Sequence, residues 1–304
     1  PKFSHDSKKI ASASTTKSTL ISDVSSGKVL LNLKNETDNI IGVEFSNNNN
    51  KIITSSLDGI SKLWDANTGY PLVNLETGNK TILIPQFSPD DKNILGVSRQ
   101  FLKLWNVNSG KIIYNIKAHK KDIEWASFNK EGTKIVTCSR DSTAKIWDTK
   151  KGTLLQTLKG HKASVGFVKF SPNNKYVIST SWDKSAKVWN VINGKCLITF
   201  NKHKDNVCFA SFSSDNKYVA SASWDGTAKI WDVISGKLLF NLEHDNMNHV
   251  QSVYFNVNNQ KILTSSDDNT FKIWSGINGK LICTFLGVDS TDYFTQILTG
   301  YYQC

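Results

Sequence analysis

A tryptophan returns along this chain at an almost constant interval. Trp64, Trp105, Trp147, Trp189, Trp231 and Trp274 lie 41, 42, 42, 42 and 43 residues apart. One more period backwards reaches Ser22, which Asp23 follows. A glycine stands five residues after every anchor: Gly27, Gly69, Gly110, Gly152, Gly194, Gly236 and Gly279. Seven glycines in one phase point to a turn with positive φ, which glycine adopts without steric cost. A length of 304 residues would ordinarily suggest two domains. The repeat overrides that expectation, because each unit must stack on its neighbours to bury its faces.

The unit around Trp231 reads as four short strands. Val207 to Phe212, Tyr218 to Ser223, Ala228 to Asp232 and Leu238 to Leu242 are β-prone. Between them lie Ser213-Ser214-Asp215-Asn216, the tight turn Trp224-Asp225-Gly226, and Ile234-Ser235-Gly236. No segment has the length or the 3.6-residue periodicity of a helix. One small antiparallel sheet cannot bury both its faces. Seven stacked radially can, and closing the ring removes the exposed ends of the stack. The expected fold is all-β, a seven-bladed β-propeller of four-stranded antiparallel blades.

Trp64-Asp65, Trp147-Asp148 and Trp231-Asp232 repeat one dipeptide, and Trp105-Asn106, Trp189-Asn190 and Trp274-Ser275 relax it. Gly160-His161 adds a second signature. In these features the chain resembles the WD40-repeat (β-transducin-like) family over essentially its whole length. The resemblance implies one propeller over 1–304, with units anchored near Ser22 and the six tryptophans. Phe3-Ser4-His5-Asp6-Ser7-Lys8-Lys9-Ile10 matches Phe170-Ser171-Pro172-Asn173-Asn174-Lys175-Tyr176-Val177. The chain thus starts inside a repeat, and the natural protein is expected to continue beyond it. The stretch Tyr293 to Leu298 is expected to supply the first blade's missing strand, beside Ile10 to Ser14.

Three units carry a His, a hydroxyl, an Asp and a Trp at identical offsets. They are His119, Thr137, Asp141 and Trp147; His161, Ser179, Asp183 and Trp189; and His203, Ser221, Asp225 and Trp231. The resemblance implies a buried hydrogen-bond chain within each of these blades. Indole donates only, hydroxyl and neutral imidazole do both, and carboxylate accepts only, so the four can satisfy one another. Ser181 and Ser223 alternate correctly as well, which leaves the hydroxyl open by two residues. A Ser-His-Asp hydrolase triad has the same composition. Threefold recurrence and the lack of a G-x-S-x-G elbow favour the structural role, so no enzyme is expected. Other units depart from the pattern and are expected to be less rigid or specialised. The first has Thr16 and Ser22 where Asp and Trp belong. The second has Asp58 but no His, the third has Arg99-Gln100 in place of its turn Asp, and the last has His244 displaced by a two-residue insertion. The histidines lie one blade apart, too far to share a metal. Neither a P-loop nor a G-x-G-x-x-G occurs, so no cofactor is expected.

Composition enters through charge and cysteine. The chain is 39% hydrophobic with nine Trp, enough for a packed core. No run of eighteen apolar residues suggests a membrane helix, and no membrane partner is expected. Five cysteines without a C-x-x-C, four of them in strand-like segments, fit buried free thiols in a reducing cytoplasm. The formal charge is +11, almost all of it lysine. Lys62, Lys103, Lys145, Lys187, Lys229 and Lys272 stand two residues before an anchor; Lys28, Lys111, Lys195, Lys237 and Lys280 follow the turn Gly. Both series read as a solvated rim rather than a nucleic-acid track.

Without catalytic chemistry the surface matters. In the WD40 family, partners often meet the face bearing the turns between second and third strands and the starts of first strands. The positions before the turn Asp are Leu57, Arg140, Trp182, Trp224 and Asp267, with Arg99 as the match in the shortened blade. Flanking the first apolar residue of a first strand are Asp122 and Glu124 in the fourth blade, and His249 and Gln251 in the last. The only two Arg of the chain and two adjacent-blade Trp thus share one position, and both types are enriched in interface hot spots. The expectation is a non-catalytic scaffold for a protein or peptide carrying acidic groups. The alternative is RNA or single-stranded nucleic acid, stacked on Trp182 and Trp224.

Overall fold

The computed structural model describes residues 1–13, 17–34, 38–75, 83–244, 248–287, 293–297 and 300–303. Thr16, Leu298 and Cys304 lie outside them. The described strands form seven antiparallel sheets in chain order, spanning 2–33, 40–75, 83–117, 123–159, 165–200, 207–243 and 250–303. Six are four-stranded, and the seventh carries two further strands. The fold class is the all-β, seven-bladed β-propeller.

The sixth sheet shows how the repeat folds. Its strands are Val207–Phe212, Tyr218–Ser223, Thr227–Asp232 and Leu238–Glu243. Register sets Val219 opposite Trp231 and Ser221 opposite Lys229, so Ser221, Lys229 and Trp231 share a face. The seven turn glycines all have φ between 65° and 73°, as their phase requires. At Gly279 a Cβ would also lie 2.7 Å from the Phe240 ring. In every sheet the register shifts just before the anchor, as at Ile21/Ser22, Leu63/Trp64 and Ile230/Trp231. Such a bulge re-aims the strand beside its tryptophan.

The backbone forms two compact units: Pro1–Thr133 with Thr149–Gly152, and Lys134–Asp148 with Thr153–Cys304. In each, the core lies between successive sheets. In the first unit, Ile21, Leu33, Phe45 and Ile52 pack with Trp64, and Ile53, Leu63, Leu75 and Ile94 with Trp105. In the second, Val188, Phe200 and Val219 pack with Trp231, and Ala220, Ile230, Leu242 and Ile262 with Trp274. Trp231 stacks on Phe200 of the preceding sheet at 4.9 Å between centroids. Truncating a tryptophan so buried costs about 3–5 kcal/mol.

Two expectations change at the chain's ends. The strand Tyr293–Ile297 pairs antiparallel with Leu281–Gly287, Cys283 opposite Ile297, and Gly300–Gln303 adds beyond it. The tail extends the seventh sheet instead of completing the first. The first sheet has a local strand of its own, Lys2–Phe3, paired with Ile10 and Ala11. Both are hairpins, and a short loop costs less entropy to close than a whole-chain return. Cysteine burial also divides. Cys138 and Cys283 are buried, and burial pushes the Cys208 thiol up to about 12. Cys196 is exposed, because it begins a fourth strand, where Leu154 and Ile112 of other sheets are exposed too.

Candidate functional site

The hydrogen-bond chains form in the fifth, sixth and seventh sheets. Trp189 Nε1 donates to Ser179 Oγ at 2.8 Å, Ser179 Oγ meets His161 Nε2 at 2.8 Å, and His161 Nδ1 meets Asp183 Oδ2 at 2.9 Å. The sixth sheet repeats this with Trp231, Ser221, His203 and Asp225 at 2.8, 2.7 and 2.9 Å. Indole can only donate, so the serine hydroxyl sends its proton to Nε2 and Nδ1–H points to the carboxylate. Ser181 and Ser223 serve elsewhere: each accepts from the N–H of its turn Asp.

Electrostatics fixes these groups. Burial pulls the His161 and His203 pKa below the ordinary value, outweighing the upward pull of Asp183 and Asp225. Burial alone would raise those carboxyls. Hydrogen bonds from the histidines, from Ser185 or Thr227, and from the Lys162 and Lys204 N–H groups hold them well below the usual range. The imidazoles are therefore neutral and the aspartates charged at neutral pH. Ser179 and Ser221 are fully buried and each already accepts an indole N–H, so neither is placed to attack a substrate.

In the seventh sheet, where His244 is displaced in sequence, the same chain forms. Trp274 Nε1 donates to Thr264 at 2.8 Å, His244 Nε2 meets Thr264 at 2.7 Å, and Nδ1 meets Asp268 at 3.1 Å. Thr264 and Asp268 keep the usual offsets from Trp274; only the loop after His244 lengthens. In the fourth sheet Trp147 donates to Thr137 at 2.9 Å, Asp141 accepts from Thr143, and His119 is buried. In the second, Trp64 donates to Thr54 at 2.9 Å. In the third, register puts Gly96 opposite Lys103, where other sheets have the hydroxyl.

The lysines before the anchors are not a solvated rim. Lys62, Lys103, Lys229 and Lys272 are buried, sharing the strand face of their tryptophan. Lys62, Lys145 and Lys272 hold Nζ 5.9, 5.7 and 5.8 Å from the adjacent indole ring. Their stems cover the indole while the charge lies over its π face. The series after the turn Gly is exposed, as expected.

These chains lock the turns that present the candidate surface. Trp182, 44% exposed, sits between Ser181 and Asp183 of the fifth sheet, its N–H bonded to Ser164 O. Trp224 occupies the same place in the sixth sheet, bonded to Asn206 O. Their rings are 6.3 Å apart at 39°. Trp224 then stacks on His249 at 4.8 Å and 12°. His249 Nδ1 lies 3.4 Å from Asp267, which also accepts from Gln251 Nε2 at 2.9 Å. Trp182, Trp224, His249 and Asp267 thus form one continuous ladder over three sheets. Trp224 Nε1 is buried without a hydrogen-bond partner. Beside Trp224 opens a cavity of about 470 Å³ lined by Asp205, Asp225, Lys229, Glu243 and His244. Lys162, Lys184 and Lys204 are exposed; Lys162 N–H bonds Asp183 beside Trp182, Lys184 Nζ bonds Lys204 O, and Lys204 lines the cavity with Trp224.

Among the other expected site residues, Arg140 is exposed in its turn in the second unit. In the first unit Leu57, Arg99 and Asp122 are exposed and Glu124 is half-buried. Leu57 N–H bonds Asn39 O, as in the tryptophan turns, and Arg99 O accepts from Ile123 N–H. Arg99 itself has φ 51°, in a two-residue hairpin closed by Ser98 and Phe101. Its turn is therefore not the one that carries Trp182. His249 is the residue the sequence placed on the surface without revealing its stacking role. Among the described residues no cluster of three or more His, Cys, Asp or Glu could hold a metal.

A crystal structure of the computationally designed Ika8 protein matches with a TM-score of 0.81, covering 97% of this chain and 92% of that one. The identity is 21%, so the likeness shows the fold alone. No curated protein matches the chain in sequence. The family model described as WD domain, G-beta repeat matches residues 27–65, 110–148, 152–190, 194–232 and 236–275. Those five repeats cover more than half of its length, and the chain belongs to the WD40 family.

Proposed function

We propose that this chain is a non-catalytic scaffold that holds a protein or peptide partner on the turns bearing Trp182 and Trp224. WD40 propellers are generally protein-interaction scaffolds of this kind. The observation that carries the reading is the ladder of Trp182, Trp224 and His249, a preformed aromatic surface in which Trp182 is 44% exposed. Burying rigid aromatics is how interface hot spots gain affinity. Lys162, Lys184 and Lys204 favour acidic groups on the partner, with Arg140 orienting them. Leu57, Asp122 and Glu124 belong to the corresponding turns and strand starts of the first unit. The serines of the buried networks take no part, and the scaffold acts in a reducing cytoplasm. The same ladder with its lysines could stack bases, which makes single-stranded nucleic acid the second reading.

A pull-down from source-cell lysate decides between them, using wild type beside Trp182→Ala/Trp224→Ala, with and without nuclease. A hot-spot pair predicts a loss of at least 2 kcal/mol in affinity, about thirtyfold. The partner band should vanish in the variant and ignore nuclease. A nuclease-sensitive signal with steep salt dependence would favour the nucleic-acid reading. A band that survives the double substitution would move the site elsewhere.

A further inference from the structure

The turns joining third and fourth strands in the fifth to seventh sheets share a second pattern. They read Ile192-Asn193-Gly194-Lys195, Ile234-Ser235-Gly236-Lys237 and Ile277-Asn278-Gly279-Lys280. Ile192, Ile234 and Ile277 are 84%, 89% and 76% exposed, and Val257 in a neighbouring turn is 90% exposed. The second, third and fourth repeats place Asn67, Asn108 and Lys150 at the isoleucine position. The turn itself therefore does not demand an aliphatic residue.

Hydrogen bonds join these turns into one surface. The N–H groups of Val191, Val233 and Gly276 donate to the carbonyls of Lys175, Lys217 and Gln260, tying each turn to the first turn of its own sheet. Asn173 N–H donates to Asn216 Oδ1, Ser214 N–H to Asn259 Oδ1, and Ser214 Oγ to Val257 O, tying sheet to sheet. Lys175, Lys195, Lys217, Lys237 and Lys280 stand exposed around the aliphatic tips. The acidic residues of these turns are Asp215 and Asp232, both bonded within their own turns. The surface lies at the end of each sheet opposite the Trp182 and Trp224 turns.

We infer that this surface docks on an anionic lipid bilayer, isoleucines entering the headgroup–acyl boundary and lysines meeting anionic headgroups. The aliphatic side chains protrude singly from separate turns. A protein partner would need a matched pocket for each tip, whereas a fluid bilayer admits isolated protrusions. Interfacial binding grows with the apolar area inserted and with the number of basic residues near the surface. Peripheral docking needs no spanning segment, so the lack of one in the sequence does not bear on it. It would leave the aromatic ladder turned away from the membrane and free for its partner.

Co-sedimentation of the full chain with phosphatidylcholine vesicles, with and without about one-third phosphatidylserine, tests the assignment. Binding should require the anionic lipid. Ile192→Ser/Ile234→Ser/Ile277→Ser should weaken it by about tenfold or more with an unchanged melting curve. Lys195→Gln/Lys237→Gln/Lys280→Gln should weaken it by roughly a hundredfold at low salt. Trp182→Ala/Trp224→Ala should sediment like wild type. No binding to anionic vesicles overturns the inference. So does binding that the isoleucine variant retains, since that is the adhesion of a +11 chain to any anionic surface.

Discussion

The sixth sheet and the second sheet are built on the same anchor and differ in what surrounds it. In both, a buried tryptophan donates to a hydroxyl one strand away, at 2.8 Å to Ser221 and 2.9 Å to Thr54. In the sixth the hydroxyl continues to His203 and Asp225, and the carboxylate receives Lys204 N–H at 2.8 Å. The second sheet has no histidine to continue the chain. In the third, Gly96 removes even the hydroxyl. All three nonetheless keep four strands, the bulge before the anchor and the positive-φ glycine. Anchor and turn make the sheet, then, and the polar chain adds something else. In the fifth and sixth sheets it fastens the start of the sheet to the turn that carries Trp182 or Trp224. In the three sheets that carry the aromatic ladder the polar chain is complete, which suits a surface that must hold its shape before a partner arrives.

The largest effect that could break this comparison is loss of the shared hydroxyl. Ser221→Ala leaves both the Trp231 N–H and His203 Nε2 unpaired in a dry interior, and should cost about 2–3 kcal/mol. Thr54→Ala orphans one indole and should cost about 1 kcal/mol less. Chemical denaturation of both variants measures the difference, and equal costs would mean that the histidine adds nothing.

Acid should separate the same regions next. The His161 and His203 pKa values lie below the ordinary 6.5 in the folded chain, so the unfolded chain takes up protons first as pH falls. Their contribution is complete above the unfolded value and declines below about 6.5, until the folded values are passed. Asp183 and Asp225 act in the same direction further down. Their contribution is complete above the ordinary 3.8 and disappears as pH falls through their depressed folded values. Hydrogen exchange, corrected for intrinsic rates, should show protection falling from neutral to mildly acid pH in the fifth and sixth sheets. The second and third sheets contain no histidine and should change less. A uniform loss would locate the acid sensitivity elsewhere. A gain of about 1 kcal/mol is expected in the opposite sense from Gly96→Ser, which restores a hydroxyl near Trp105. A loss at that position would show that the strands are too close there to admit a side chain.

Periodicity made the sheets legible, because anchor spacing and turn glycine are local backbone requirements. It failed wherever a contact depended on something other than period. The chain of His244, Thr264, Asp268 and Trp274 was hidden by two inserted residues, although the offsets from Trp274 were intact. A loop can lengthen without moving the ends that it joins. Trp224 and His249 were both placed on the surface, but stacking between neighbouring sheets has no sequence signature. Counting missing strands assigns the tail from Tyr293 to the first sheet, whereas its nearest hairpin partner lies beside it in the seventh.

Lysine gives the last and smallest test. The dispersal of lysine around every repeat suggests a solvated rim for Lys62 and Lys272, yet strand parity sets a residue two before the anchor on the anchor's own face. Both are buried, with Nζ 5.9 and 5.8 Å from the rings of Trp64 and Trp274. The device is the same in a sheet without a histidine and in one with the full polar chain. Lys62→Met and Lys272→Met keep the stem and remove the charge, so each should cost about 0.5–1 kcal/mol in the same denaturation measurement. Equal costs would assign the contrast between the sheets to the polar chain alone. A larger cost at Lys272 would mean that its charge is coupled to the nearby His244–Asp268 pair, and that lysine, imidazole and carboxylate act as one group.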